Sequence, residues 1–357
     1  MNTPIRLAFI GVDHPHGAHW RELLRNFHEQ LTITAIVPEF GGALTSLEEI
    51  YTDLPRFRSI EHLIADAAAE FDAAVVCLPN NQGPPAVTAL ANAGKHILCE
   101  KPVGRNAAEI RQMAEVLVQS GVAFQNGFVW RYDDAANRLR HMLQDGRFGK
   151  LFSVEMTYVT SDVIRRGPNH YLFDAEVSGG GFFSWLACHH LDLLLYITGQ
   201  SVIGVTARVG QFTEQSTDVE DGGTAILELS DGGIATFTGG YWLPRWAGEM
   251  RFCFRGTQRW VHWDPTRPGT SGVLEIHGPK PQWHAMEEVF SLPEDHTKGY
   301  GGVRGLNLVR DWIQSILVPG TPCRNTPQST LAALQLTDAI YESSRTERRV
   351  ACSIGPT

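Results

Sequence analysis

The 357-residue chain has no CxxC pair, no block of like charge, no low-complexity tract and no internal repeat. Its six cysteines, Cys77, Cys99, Cys188, Cys253, Cys323 and Cys352, lie far apart, several in apolar surroundings, so reduced core thiols are expected rather than a disulfide framework or a thiolate metal site. No apolar run approaches the roughly 20 residues of a membrane helix. The segment Met1–Pro4 runs straight into a strand-like stretch without a charged leader, which makes a cytoplasmic location the expectation. A formal net charge of −9 supplies no basic field for phosphate polymers or anionic lipid, so neither nucleic acid nor membrane is an expected partner. There is no GxSxG elbow and no Walker-type lysine loop. His14-x-His16 and His189-His190 each lack a third ligand at helical or strand spacing, so no metal is expected.

What is present describes a globular protein: 43% hydrophobic and 19% charged residues, in a chain longer than one core usually serves. The first third alternates short β-branched runs with helical patterns, as βαβ units of a parallel sheet do. Strands are expected at Ile5–Ile10, Leu31–Val37, Ala73–Leu78, His96–Cys99 and Val122–Phe128, with helices over Ala86–Ala93 and Ala107–Ser120 ending at Gly94 and Gly121. The rhythm then changes. A helix near Ala135–Gln144 precedes strands at Leu151–Val159, Val202–Val209, Ala225–Leu229, Ile234–Phe237, Met250–Phe254 and Trp260–Trp263, and helices return at Val303–Leu317 and Thr330–Ser343. The reading is α/β followed by α+β: residues 1–126 as a doubly wound Rossmann domain, 127–357 as a substrate-binding and oligomerisation domain on a large, open, mostly antiparallel sheet.

Three places carry chemistry. The first strand runs into Gly11-Val12-Asp13-His14-Pro15-His16-Gly17, where a dinucleotide-binding turn belongs. Gly11 can make the tight turn and Gly17 the close helix packing, but Asp13 stands where a second glycine normally lets backbone approach a pyrophosphate. After the second strand, Pro38 displaces Glu39 by one residue from the usual ribose-binding acid, so Glu39 is read either as that acid or as a solvated surface glutamate. The third is Glu100-Lys101-Pro102. A lysine at the carboxyl end of a parallel strand lies in the crevice where open α/β sheets bind ligands, and its ammonium can favour negative charge developing on a substrate oxygen.

The order Val75-Val76-Cys77-Leu78-Pro79-Asn80-Asn81, then Gly94-Lys95-His96-Ile97-Leu98-Cys99-Glu100-Lys101-Pro102, resembles the Gfo/Idh/MocA family of glucose-fructose and inositol oxidoreductases. Asn126-Gly127-Phe128 with Arg131, Gly179-Gly180-Gly181 and His189-x-x-Asp192 follow in the family's order. The resemblance implies NAD or NADP, with NAD slightly favoured, held by Gly11, Asp13, His14, His16, Glu39, Leu78, Pro79, Asn80, Glu100, Lys101, Pro102, Asn126 and Arg131. It implies Lys101, His189 and Asp192 as catalytic residues, and Lys101, Arg165, Tyr171, Trp185 and His189 around a carbohydrate-like substrate. Pro102 is often cis in the family.

One departure stands out: family members often carry Asp-x-x-x-His where this chain has Trp185 and His189. Hydride transfer to or from a sugar or polyol is the leading reading, with a homodimer or homotetramer. A silent ligand-sensing protein and a nicotinamide-assisted elimination are the alternatives.

Overall fold

The computed structural model describes residues 3–38, 40, 51, 53–161, 163–244, 246–279 and 285–356. The chain forms two compact units: 1–129 with 296–331, and 130–295 with 332–357. A continuous second domain from 127 to 357 was expected; instead 296–331 belongs to the first unit. There Tyr300 Oη donates to Gly127 O (2.9 Å), Gln125 donates to Leu308 O, and Asn325 Nδ2 donates to Asn126 O (3.0 Å).

The first unit carries five parallel strands, β1 (Ile5–Ile10), β2 (Leu31–Val37), β3 (Ala73–Val76), β4 (His96–Cys99) and β5 (Phe124–Asn126), in the order β2-β1-β3-β4-β5. Ala73–Val76 is buried at every position, as a strand covered on both faces requires. The crossovers include α1 (Gly17–Leu24), α2 (Ile60–Ala67), α3 (Gly83–Asn92) and α4 (Ala107–Ser120). Local chemistry sets the ends of α4. Asn106 accepts the Glu109 amide, Glu109 returns its carboxylate to the Arg105 amide, and Gly121 closes the helix at φ +66°.

The second unit has α5 (Asp134–Gln144), capped by Asp133, and a helix whose first part, Phe183–Ala187, is π-helical before α6 (Cys188–Thr198). Its sheet joins β6 (Leu151–Ser161), β7 (Val202–Gly210), β8 (Gly222–Leu229), β9 (Ile234–Leu243), β10 (Gly248–Gly256), β11 (Trp260–Asp264), β12 (Thr270–His277), β13 (Met286–Pro293) and β14 (Val350–Ile354). The order is β13-β12-β11-β10-β6-β9-β8-β7-β14, antiparallel except for β6 with β9. Facing residues share a side of a sheet. Val205, Leu227, Ala235, Val154, Phe254, Val261 and Ile276 therefore form one row across seven strands, and all are fully buried. One residue along, the row Thr206, Ile226, Thr236, Glu155, Cys253, His262, Glu275 and Val289 runs over the opposite face, where most positions meet solvent. Two further helices are α7 (Val303–Leu317) and α8 (Pro327–Thr346). Among the described residues no helix is long and apolar enough to cross a membrane.

Candidate active site

In the first unit the glycine turn has a steric basis. Gly11 sits at φ +66° and a Cβ there would lie 2.0 Å from Cys77 O; a Cβ on Gly17 would lie 2.6 Å from Val12 O. The turn is stiffened from within. His14 Nδ1 accepts the His16 amide (3.1 Å), His14 packs edge-on against Phe40, and Asp13 Oδ1 accepts the Phe40 amide (3.2 Å). The missing second glycine is thus an aspartate that ties the turn to the segment after β2. Glu39, the candidate ribose acid, lies outside the described residues. The glycines thus let the chain turn tightly from β1 into α1, and a helix amino end at the carboxyl end of β1 fits a dinucleotide pyrophosphate.

Around this turn lies a buried cluster that ends at Lys101. Glu100 accepts Trp20 Nε1–H at 2.5 Å on Oε2 and lies 3.1 Å from His16 Nδ1 through Oε1. Burial opposes its ionisation, but His16, Lys101 and Trp20 together hold its carboxyl below the usual range. Trp20 stacks on Tyr300 (4.3 Å), and the Tyr300 hydroxyl reaches Gly127 O. Gly127 is needed because a Cβ there would stand 3.0 Å from that hydroxyl and 3.3 Å from Lys101 Cγ. Lys101, at the carboxyl end of β4, is only 2% exposed, and the Lys101–Pro102 peptide is cis. Leu78, Pro79 and Asn80 are buried between the end of β3 and α3. Tyr300 belongs to the cluster although sequence reasoning passed over it. Its only signal was the glycine-rich setting Gly299-Tyr300-Gly301-Gly302.

Asn126 departs from expectation. It is fully buried, its amide donates to Thr330 Oγ1 (2.5 Å) and its carbonyl accepts from the Phe128 amide (3.2 Å). A side chain with both groups engaged and no exposed surface braces the chain.

In the second unit Arg131 and Asp192 are likewise redirected. Asp192 is fully buried and places both oxygens on the Arg131 guanidinium, at 2.9 and 2.7 Å, while that guanidinium lies 4.9 Å from the Tyr196 ring centre. Asp192 therefore orients Arg131, which lies as a buried cation beside Tyr196. His189 is 9% exposed. His190, one residue on, is buried among Tyr158, Trp130, Phe237 and Phe252. Trp185 stands on the π-helical turn, which closes over one more residue than an α-turn and so re-phases it against His189 and Asp192. The structure brings Trp185 and Tyr171 together edge-on (6.2 Å). Arg165 instead lies over the Trp246 ring (4.2 Å).

Sequence reasoning also missed Glu220. It receives the Gly181 amide (2.5 Å), the Phe183 amide (2.8 Å) and the Tyr341 hydroxyl (3.0 Å) at the start of the helix bearing Trp185 and His189. The glycine triplet exists for this approach: a Cβ on Gly181 would meet Glu220 O at 1.8 Å and one on Gly180 Tyr341 Oη at 2.1 Å. Burial pushes the carboxyl up to about 7, against the two amides and Tyr341, which favour the anion. The folded chain thus holds this proton more tightly than the unfolded chain. Its contribution to stability is full below about 4.5 and is lost as pH rises to about 7, a change of order 3 kcal/mol. Glu220→Gln should flatten that part of the stability profile. Urea unfolding of both proteins at pH 5 and pH 8 checks this; an unchanged difference between them would refute it.

Comparison with known proteins gives a consistent answer. Residues 5–128 match the family model described as "Oxidoreductase family, NAD-binding Rossmann fold", and residues 136–262 match the GFO/IDH/MocA C-terminal domain. Inositol 2-dehydrogenase of Rhizobium meliloti is 24% identical over 353 residues, covering 97% of this chain and 99% of that protein. Myo-inositol 2-dehydrogenase of Thermotoga maritima is 32% identical over 136 residues, 38% of this chain and 39% of that one. A solved structure of levoglucosan dehydrogenase with NADH and levoglucosan shares the fold, with a TM-score of 0.83 at 17% identity over 99% of this chain and all of that one.

Proposed function

Because this chain belongs to the GFO/IDH/MocA family of oxidoreductases, whose first domain is an NAD-binding Rossmann fold, we propose that it moves a hydride between NAD and a hydroxyl-bearing carbon of a cyclic sugar or polyol. The observation that carries this reading is the burial of Lys101 at the carboxyl end of β4, beside a glutamate anchored by Trp20 and His16. Bound NAD supplies the hydride acceptor. Lys101 orients the reacting oxygen and favours negative charge on it, and His189 exchanges the hydroxyl proton. Trp185 and Tyr171 offer aromatic surface to the apolar face of a sugar ring. The inositol and levoglucosan named for the relatives support a polyhydroxylated ring as substrate.

NAD over NADP rests on Glu39, an acid two residues beyond β2 in the sequence, of a type suited to ribose hydroxyls and repelling a 2′-phosphate. Titration with NADH and NADPH, followed by nicotinamide fluorescence, should give binding at least about tenfold tighter for NADH. No response to either would sink the proposal. With NADH bound, a panel of cyclic polyols and sugars should contain a substrate, and His189→Ala should slow its turnover without weakening NADH. Binding without turnover across the panel favours a ligand-sensing protein instead. We also place the protein in the cytoplasm, in keeping with six free cysteines of which five are buried. The open face of the large sheet suits a homodimer or homotetramer, and a monomeric mass by light scattering at micromolar concentration would contradict that.

A further inference from the structure

The outer face of the large sheet carries a cluster with no part in the reaction above. His262 on β11 faces Glu275 on β12 directly, and His277 lies two residues along β12 on the same side. The ligand atoms of the three lie within 4.8 Å of one another. We propose that His262, Glu275 and His277 form a binding site for a divalent transition-metal ion, with zinc the best fit.

The chemistry is that of a two-histidine, one-carboxylate set, which suits zinc and related ions and leaves a coordination position for water. Bonds of about 2.0–2.2 Å in a tetrahedral centre put donors roughly 3.3 Å apart, so the ion closes the cluster by small side-chain rotations. The site is also pre-organised. Trp260, the cross-strand neighbour of His277, lies parallel on its ring at 4.9 Å and an interplanar angle of 5°, and the His262 and His277 rings are 5.3 Å apart. The Nε2 atom of His277 is buried and has no hydrogen-bond partner among the described residues. Among the described residues Glu275 has one ion-pair contact, a 3.5 Å approach from Arg267 that a metal ion would outweigh. A cavity of about 350 Å³ borders His262 and Glu275, with Glu155 and Asp264 balancing the arginines of its wall. All three ligands sit on adjacent strands, so a bound ion would staple β11 to β12 near the edge of the sheet.

The test uses the full-length protein without a histidine tag, stripped with EDTA. Zinc titration by calorimetry and cobalt titration by visible absorption should show one saturable site per chain at micromolar affinity, with the cobalt spectrum of a low-coordinate centre. His262→Ala and His277→Ala should each weaken binding by more than about 100-fold, and Trp260→Ala, which removes only the stacking, by about tenfold. Glu275→Gln, an isosteric change, should weaken it more than about tenfold, and it decides the matter alone if an alanine variant fails to fold. Uptake that survives Glu275→Gln unchanged, or no saturable uptake by the wild type below 100-fold excess metal, overturns the proposal.

Discussion

Replacing Lys101 with alanine is expected to lower kcat/KM by about 10²–10³-fold while leaving NADH affinity within a few-fold of wild type. The expectation follows from what surrounds the side chain. Glu100 is fixed by Trp20 and His16, Gly127 packs against Lys101 Cγ, and Tyr300 holds Gly127 in place. An ammonium held this way donates to one oxygen position without reorganising, which is where electrostatic stabilisation of a transition state is largest. Loss of such a donor should fall on kcat more than on KM, measured in the reducing direction, because the carbonyl oxygen gains negative charge only as the hydride arrives. Lys101→Arg should rescue little, since a planar guanidinium fork does not reproduce the point charge of a compact ammonium on a stem packed beside Gly127. Steady-state kinetics with the best substrate of the polyol panel, alongside NADH fluorescence titration, measures both quantities. A Lys101→Ala enzyme within threefold of wild type would remove Lys101 from the chemistry.

Local patterns made much of this fold legible. The bounds of β1, β2, β4, α4 and α7 agree with the periodicity and with glycines such as Gly121. The strands β12, β13 and β14 went unread because they do not look like buried strands. Thr270–His277 opens on Thr-Ser-Gly, and Met286–Pro293 lacks a clean apolar/polar alternation, with every position exposed or partly exposed. Their pairing is tertiary information, and with it the His262–Glu275–His277 cluster was invisible: its ligands meet only once β11 and β12 are in register. The same holds for Tyr300, which returns to the first unit across some 170 residues of chain to reach Gly127. At the candidate site, Lys101, Gly11 and Gly17 were readable because strand ends and turns impose their residue types. Arg131, Asp192 and Asn126 were read as functional because polar residues in a shared motif order look alike in sequence; burial and pairing distinguish them.

Asp192→Ala should cost about 3–5 kcal/mol, because it leaves the Arg131 guanidinium buried and uncompensated. The pair is bidentate at 2.9 and 2.7 Å with both residues inside the core, so no water replaces the lost carboxylate. Removing both charges should be far milder. A double variant, Arg131→Met with Asp192→Leu, keeps apolar volume beside Tyr196 and removes the stranded cation, so its loss should be smaller than that of either single change. Urea unfolding followed by far-UV circular dichroism reads the comparison. Kinetics then separate structure from catalysis: an aspartate that took part in proton transfer would lose kcat in the folded double variant. Since Asp192 spends both oxygens on Arg131, the double variant should retain turnover to the extent that it retains its fold. A stable double variant with abolished kcat would restore Asp192 to the catalytic set.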